Sequence, residues 1–537
     1  MKAVGVRKQA NDKRELLWKS VVFVLIIVYL GMFAYLNLAK YAQHVDSDIA
    51  AEALLAREIW TEKSLTPDDW IASTERYVFG MPMIASVFYG MTGSMTMSVG
   101  IACVLIGAVL VGVLYWFLRR IGLSGLASLT AILVLCAVPV NGLRNDGQMV
   151  PFVMLLLFVF ADYYALHSIL MFLTIAFYHH LKKGKMGRKE AVCWFLMFGF
   201  TTALALGGQR CFQMVILPMA AVEVVSLFAE SDFFSRRLAK SRYYAAAYVG
   251  TMVLAALIAG AYKGQADYAM FLLPSREAME RIFVTVPGAI LEGFGLAGGV
   301  YVGSFESLMQ MLVWAFLALV GFGLAFIFQK KDRGIAAEQK NTIAILAASV
   351  GITAFIVAFT TAEPAHNYFL FSWYVAIVTV GILIDCFRKK KSWFADVILL
   401  AVCVFAALNV RYTYVDALTT TDNLKEYEEV ADFLIEEGID YGYAEFWDAE
   451  RISLIRDGAV TMGHSYVMED LKMYWWLTSV KWYPPNLPED MKTAYVVKIP
   501  KKEAFEAQFA EENAVELRFE NEKFAVYISD KNYMKMQ

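Results

Sequence analysis

Apolar residues run in blocks of about twenty through roughly the first three quarters of the chain, then give way to short helical and alternating patterns. The blocks fall at roughly 21–39, 97–118, 124–140, 162–181, 190–207, 212–229, 242–262, 308–328, 341–360, 367–387 and 393–410. Each is about the length needed to cross the hydrocarbon of a bilayer. Eleven such runs predict a polytopic α-helical membrane protein. Two further stretches leave the count open between 10 and 13. Residues 81–93 are apolar but interrupted by Pro82, Gly90 and Gly93, and read as an interfacial helix. Residues 149–160 are too short to cross and read as a re-entrant or interfacial piece. The first run follows a basic start, is too long for a signal-peptide core and has no small-x-small site behind it, so it reads as the first span.

From residue 411 the pattern changes. Residues 423–437 put Leu424, Tyr427, Val430, Ala431 and Leu434 on one helix face, with Gly438 as the stop. Tyr441–Phe446 and Ala494–Ile499 read as strands, Lys502–Gln508 as a helix, and Val515–Phe519 with Phe524–Ile528 as a strand pair. Three parts follow: a tail at 1–19, a multi-span domain at 20–410 with long loops at about 40–80 and 263–306, and a C-terminal α/β domain at 411–537.

Charge fixes the expected orientation. The segments at 1–19, 119–120, 182–189, 230–242, 329–340 and 388–391 carry 25 Lys and Arg residues, and the opposite loops before residue 411 carry nine. The excess of basic residues belongs on the cytoplasmic side. The N-terminus is therefore expected in the cytoplasm, and both long loops and the C-terminal domain outside, in a plasma membrane of bacterial type. Residues 411–537 hold 14 basic and 25 acidic residues, a net charge of −11. With 59% hydrophobic and 18% charged residues overall, a soluble multidomain protein and a nucleic-acid binder are excluded. The six cysteines lack metal-ligand spacing and read as buried free thiols.

Candidate chemistry sits in the first long loop, HVDSDIAAEALLAREIW from His44 to Trp60. Asp46 and Asp48 fall at the start of an amphipathic helix, where they are either caps or functional carboxylates. Glu52 follows Asp48 by four residues, on the same helix face. Ala56-Arg57-Glu58 comes next. This loop resembles the GT-C glycosyltransferases, integral membrane enzymes that use lipid-linked sugars, and specifically the protein O-mannosyltransferase and aminoarabinose-transferase branches. There the loop reads approximately Asp-Glu, six residues, Ala-Arg-Glu. Asp48, Ala56, Arg57 and Glu58 fall in register, and Ile49 departs from the pattern where the family has Glu. Arg144 and Asp146 in GLRNDGQMVPF match an Arg-x-Asp of the second outer loop, and Gly207-Gly208-Gln209-Arg210 matches a glycine followed by a basic residue. The resemblance covers roughly residues 20–260.

The resemblance implies sugar transfer from a polyprenyl-phosphate donor, with inversion, to an outward acceptor (a glycan, a lipid or a protein). An attacking hydroxyl must lose its proton, which a carboxylate accepts; Asp48 is the expected base, with Asp146 orienting the acceptor. The leaving phosphate needs positive charge, and Arg210 can grip it through two parallel hydrogen bonds. A Mg²⁺ or Mn²⁺ ion on Asp48 and Asp146 is one option, and metal-free transfer, the favoured one, is the other. Asp46, Glu52, Arg144, His366 and Tyr368 are further candidates for binding substrate.

Blander roles fit several of these residues. Arg210 suits a snorkelling position at a helix end, and Arg144 with Asp146 a surface ion pair. Asp162, with Tyr163, Tyr164 and His167, is an ionisable cluster near membrane depth. The aromatic and acidic run from Tyr441 to Glu450, followed by Met473-Tyr474-Trp475-Trp476, suits packing on the membrane domain or binding of a glycan. Competing functions are a transporter or flippase, which predicts paired broken helices, and a non-catalytic scaffold with a binding tail, which predicts that Asp48 is dispensable.

Overall fold

The computed structural model describes residues 2–73, 79–140, 150–184, 186–208, 210–229, 240–261, 270–296, 299–329, 334–390, 392–420, 424–488, 490–509 and 514–536. Its first helices are α1 (Lys2–Ala39), α2 (Tyr41–His44), α3 (Ser47–Glu62), α4 (Met81–Thr92), α5 (Met95–Arg120), α6 (Gly125–Cys136), α7 (Phe152–Leu157), α8 (Ala165–Leu181), α9 (Arg188–Gly207), α10 (Leu217–Ala229) and α11 (Lys240–Gly260). There follow α12 (Ser275–Glu280), α13 (Val286–Gly293), α14 (Phe305–Phe328), α15 (Ala337–Phe359), α16 (Phe371–Lys390), α17 (Ser392–Asn409) and α18 (Val415–Thr419).

Among the described residues, eight helices are long and apolar enough to cross a membrane: Asp12–Ala39, Met95–Arg120, Arg188–Gly207, Arg242–Gly260, Phe305–Phe328, Ala337–Phe359, His366–Lys390 and Ser392–Thr419. The other three expected runs form shorter apolar helices, Gly125–Cys136, Ala165–Leu181 and Phe212–Phe228. The run expected from residue 162 starts as a helix only at Ala165, because Asp162 takes a left-handed φ of +51° that breaks helical geometry. Outward-facing Phe23, Val24, Leu105, Phe195, Leu257, Trp314 and Phe355 give the bundle the apolar exterior that a bilayer covers. Cys193 shares that exposed exterior, so the cysteines are free, as expected, but not all buried.

At the centre, α16 is buried almost continuously from Phe371 to Ile384. α1 and α5 cross so closely that a side chain at Gly100 would run into the backbone carbonyl of Asn37. Asn37 itself donates to Phe158 O at 2.8 Å and accepts from Phe160 N at 2.8 Å, which fixes the link between α7 and α8.

The C-terminal part carries α19 (Lys425–Glu436), α20 (Phe446–Ile455) and α21 (Lys502–Ala507). Among the described residues the strands are β1 (Trp70–Ile71), β2 (Tyr441–Glu445), β3 (Thr461–Ser465), β4 (Thr478–Ser479), β5 (Thr493–Lys498), β6 (Glu516–Glu520) and β7 (Phe524–Ser529). Five of them form a mixed sheet ordered β3-β2-β5-β7-β6. β2 runs parallel to β3 and β5, and β7 antiparallel to β5 and β6. α19 buries Tyr427, Val430, Ala431 and Leu434, the face read from its spacing. Gly438, at φ +67°, provides the left-handed turn behind it.

This sheet domain is stitched to the first loop. β1 pairs antiparallel with β4, Trp70 opposite Ser479 and Ile71 opposite Thr478. Lys481 pairs with Glu58 and, at 2.6 Å, with Glu62 of α3. Asp457 accepts from Met95 N at 2.7 Å and from Ser94 Oγ at 3.0 Å, so a loop of the sheet domain caps α5, where a carboxylate is favoured by the helix dipole.

Candidate functional site

α3 begins with Asp46, whose carboxylate accepts from Ile49 N at 3.0 Å. Asp46 is therefore the N-cap, and the cap explains it without a ligand. Asp48 stands in the first turn, half-buried. Ile49, at the position of the pattern's Glu, is buried at 2% exposure. Glu52 is also buried, and its charge bears on Tyr41 and Cys103. Arg57 pairs with Glu58 at 3.0 Å and donates to Gly458 O at 3.4 Å. Arg57 and Glu58, the residues that carry the loop pattern, thus bind α3 to the sheet domain.

Around Asp48 the sheet domain supplies the other wall. Trp476 Nε1 donates a long hydrogen bond, 3.4 Å, to Asp48 Oδ1. Glu450 on α20 adds negative charge on the same side. Burial, then the charge of Asp46, then that of Glu450 push the Asp48 carboxyl up to about 6, against the opposing pull of the Trp476 hydrogen bond. A helix start favours an anion by about 0.3–1 kcal/mol, too little to reverse this. A carboxyl poised near neutrality and still reachable from solvent suits proton transfer.

Glu450 is fully buried and hydrogen-bonded to Nδ1 of the equally buried His464 on β3. Nε2 of His464 lies 3.2 Å from Tyr474 O. Burial pushes the Glu450 carboxyl up, and the imidazole beside it pulls the other way. The sequence showed Glu450 in an acidic run but did not join it to His464. They meet because β2, α20 and β3 form a strand–helix–strand unit, whose helix lies over the parallel pair.

A second group of polar residues lies along the α7–α8 link. Asp162 is 3% exposed, and neither carboxylate oxygen has a hydrogen-bond partner among the described residues. Its charge, like those of Asp46 and Glu52, bears on Tyr41. Tyr164, two residues on, lies under the half-buried guanidinium of Arg210, 4.3 Å from ring centre to Cζ. The α7–α8 link thus lies between α2, whose Tyr41 stands edge-on to Phe160 with ring centres 6.0 Å apart, and Arg210 over Tyr164. His366 stands edge-on to Phe152, with ring centres 5.3 Å apart, and lies 3.8 Å from Glu292. Tyr368, partly buried, packs against the cluster of Val286, Ala289, Val357 and Ala358. Arg144 and Asp146 fall outside the described residues. Among the described residues no group of three or more His, Cys, Asp or Glu is arranged to hold a metal ion.

No protein-family model matches the chain, and no curated protein does. Solved structures match it over nearly its whole length. ArnT from Cupriavidus metallidurans in the apo state aligns with a TM-score of 0.57 at 10% identity, covering 98% of this chain and 100% of that one. The same protein bound to undecaprenyl phosphate aligns with a TM-score of 0.53 at 12% identity, covering 97% and 99%. The Archaeoglobus fulgidus oligosaccharyltransferase, in complex with zinc and sulfate, gives 0.48 at 10% identity, covering 89% and 68%. At these identities it is the fold that is shared, and that fold, a helical membrane bundle with a C-terminal mixed β-sheet domain, is the one found in ArnT, a GT-C membrane glycosyltransferase.

Proposed function

We propose that this protein is a membrane glycosyltransferase that moves a sugar from a polyprenyl-phosphate carrier to an acceptor hydroxyl on the extracytoplasmic side. The observation that carries the reading is Asp48: a half-buried carboxyl, raised toward neutrality, held where the first loop meets the sheet domain in an ArnT-type fold. Undecaprenyl phosphate bound to ArnT supports a polyprenyl-phosphate ligand, and the distribution of Lys and Arg supports an outward-facing loop and C-terminal domain.

In this mechanism the acceptor oxygen attacks the anomeric carbon from the face opposite the phosphate. Its proton passes to Asp48, the bond from carbon to phosphate oxygen breaks, and the phosphate leaves with the electron pair. One displacement inverts the anomeric centre. Arg210, braced on Tyr164, neutralises charge developing on the phosphate, and Asp146 orients the acceptor. Asp48 and Asp146 are also the carboxylates that would hold Mg²⁺ or Mn²⁺.

The test uses purified protein in nanodiscs, wild type beside Asp48→Asn. Each is incubated with radiolabelled polyprenyl-phosphate sugars plus membrane extract as acceptor source, and release of polyprenyl phosphate is followed. Turnover lost in a folded variant supports both the reaction and the base. Turnover retained by the variant removes Asp48 from the role, and absence of donor binding removes the reaction.

A further inference from the structure

Beside Asp48 the sheet domain presents a set of aromatic rings that packing buries only in part. Tyr474 is their centre. Its ring stacks with that of Trp476 at 6.5 Å and 20°, and meets Tyr466 at 5.4 Å and Phe446 at 5.6 Å. Phe446 in turn touches Trp447 at 5.1 Å. Phe446 and Ala51 of α3 are buried and form the floor. Tyr466 and Trp447 are left 69% and 57% exposed. The same domain buries Tyr443, Tyr483, Tyr495 and Tyr527 to 2% exposure or less, so aromatic residues are not surplus to its core. A single exposed aromatic needs no explanation. A contiguous group that leads, through Trp476, onto the carboxylate of Asp48 does.

We infer that this aromatic surface is the acceptor subsite, and that its occupant is a neutral saccharide. The inference rests on the proposed transferase reaction and names its acceptor. Flat rings offer π faces to the C–H faces of a sugar ring, while phenol and indole edges exchange hydrogen bonds with its hydroxyls. A sugar stacked on Tyr474 lies next to Asp48, so one of its hydroxyls meets the base. Charge selects against other occupants. Residues 411–537 carry a net −11, and Asp46 and Asp48 stand at this corner, so an anionic glycan or anionic lipid headgroups would be repelled.

The test is calorimetric titration of the intact protein in zwitterionic nanodiscs. The probes are soluble tetrasaccharides of glucose, mannose, galactose and N-acetylglucosamine, with an oligogalacturonate as the acidic comparison and a Ser/Thr-rich neutral peptide as the protein-like one. At least one neutral saccharide is expected to bind. Tyr466→Ala and Tyr474→Ala are expected to weaken it by about tenfold, and Tyr466→Phe, which keeps the ring face, much less. Tyr466 is exposed, so its replacement leaves the fold intact, and a melting curve checks this. The inference is overturned if no neutral saccharide binds up to about 10 mM, if Tyr466→Ala binds as the wild type does, or if the oligogalacturonate or the peptide binds in preference. The two readings fail separately. Saccharide binding with turnover that survives Asp48→Asn removes the base and keeps the subsite. Turnover that depends on Asp48 without saccharide binding removes the subsite alone.

Discussion

Replacing Asp48 by Asn is expected to make the protein more stable and catalytically silent. The Asp48 carboxyl ionises near 3.8 when free and near 6 in the fold, so the folded chain holds this proton more tightly than the unfolded chain does. Stability is then lost as pH rises between the two values, and the penalty is complete above about pH 6. The interval corresponds to at most about 3 kcal/mol. Asn carries no charge to desolvate and keeps an oxygen that can accept from Trp476. Against this, its amide must find partners in a half-buried place. A net gain of about 1–2 kcal/mol at pH 8 is expected, vanishing near pH 4. Melting of both proteins at the two pH values, read by tryptophan fluorescence, measures it. The same variant should lose about 10²–10⁴-fold in transfer rate, and the wild-type rate should fall on the acid side of about pH 6. A variant that melts below wild type at pH 8, or that keeps its turnover, refutes the picture of a strained base.

Glu450→Gln removes a negative charge that raises Asp48, so the acid limb of the pH–rate profile should move to lower pH; a limb that stays in place shows that Glu450 does not act on the base. Lys481→Met leaves the buried Glu58 paired with Arg57 and releases Glu62. It should cost about 1–2 kcal/mol and speed proteolysis between the sheet domain and α3, as followed on gels. Gly458→Ala forces a side chain onto Arg57 at a φ of +79°. A loss of about 1–3 kcal/mol in thermal unfolding is expected, and an unchanged melting point refutes the contact. Arg210→Gln should weaken binding of undecaprenyl phosphate by about tenfold or more, measured in nanodiscs, and Arg210→Lys should restore only part, because a lysine offers charge without the planar fork.

Length and period of the apolar runs determined the helices of the bundle. That information is local, since a residue's place in a run is set by its neighbours and by the thickness of hydrocarbon it must cross. The same locality made α19, β2, β5, β6 and β7 legible, and placed Asp48 at the start of an amphipathic helix. Left-handed backbone at Asp162 was not legible, because the buried setting that holds it there comes from Asn37 clamping the link before it.

The make-up of the candidate site was decided by tertiary structure alone. Trp476 reaches Asp48 across 428 residues, β1 finds β4, and Glu450 finds His464 only once α20 lies over the parallel strands. No periodicity encodes such pairs, because each depends on two separately folded surfaces fitting together. The proton affinity of Asp48 belongs to that fit as well. Its residue type supplies a carboxyl that ionises near 3.8, and burial against the sheet domain moves it to about 6.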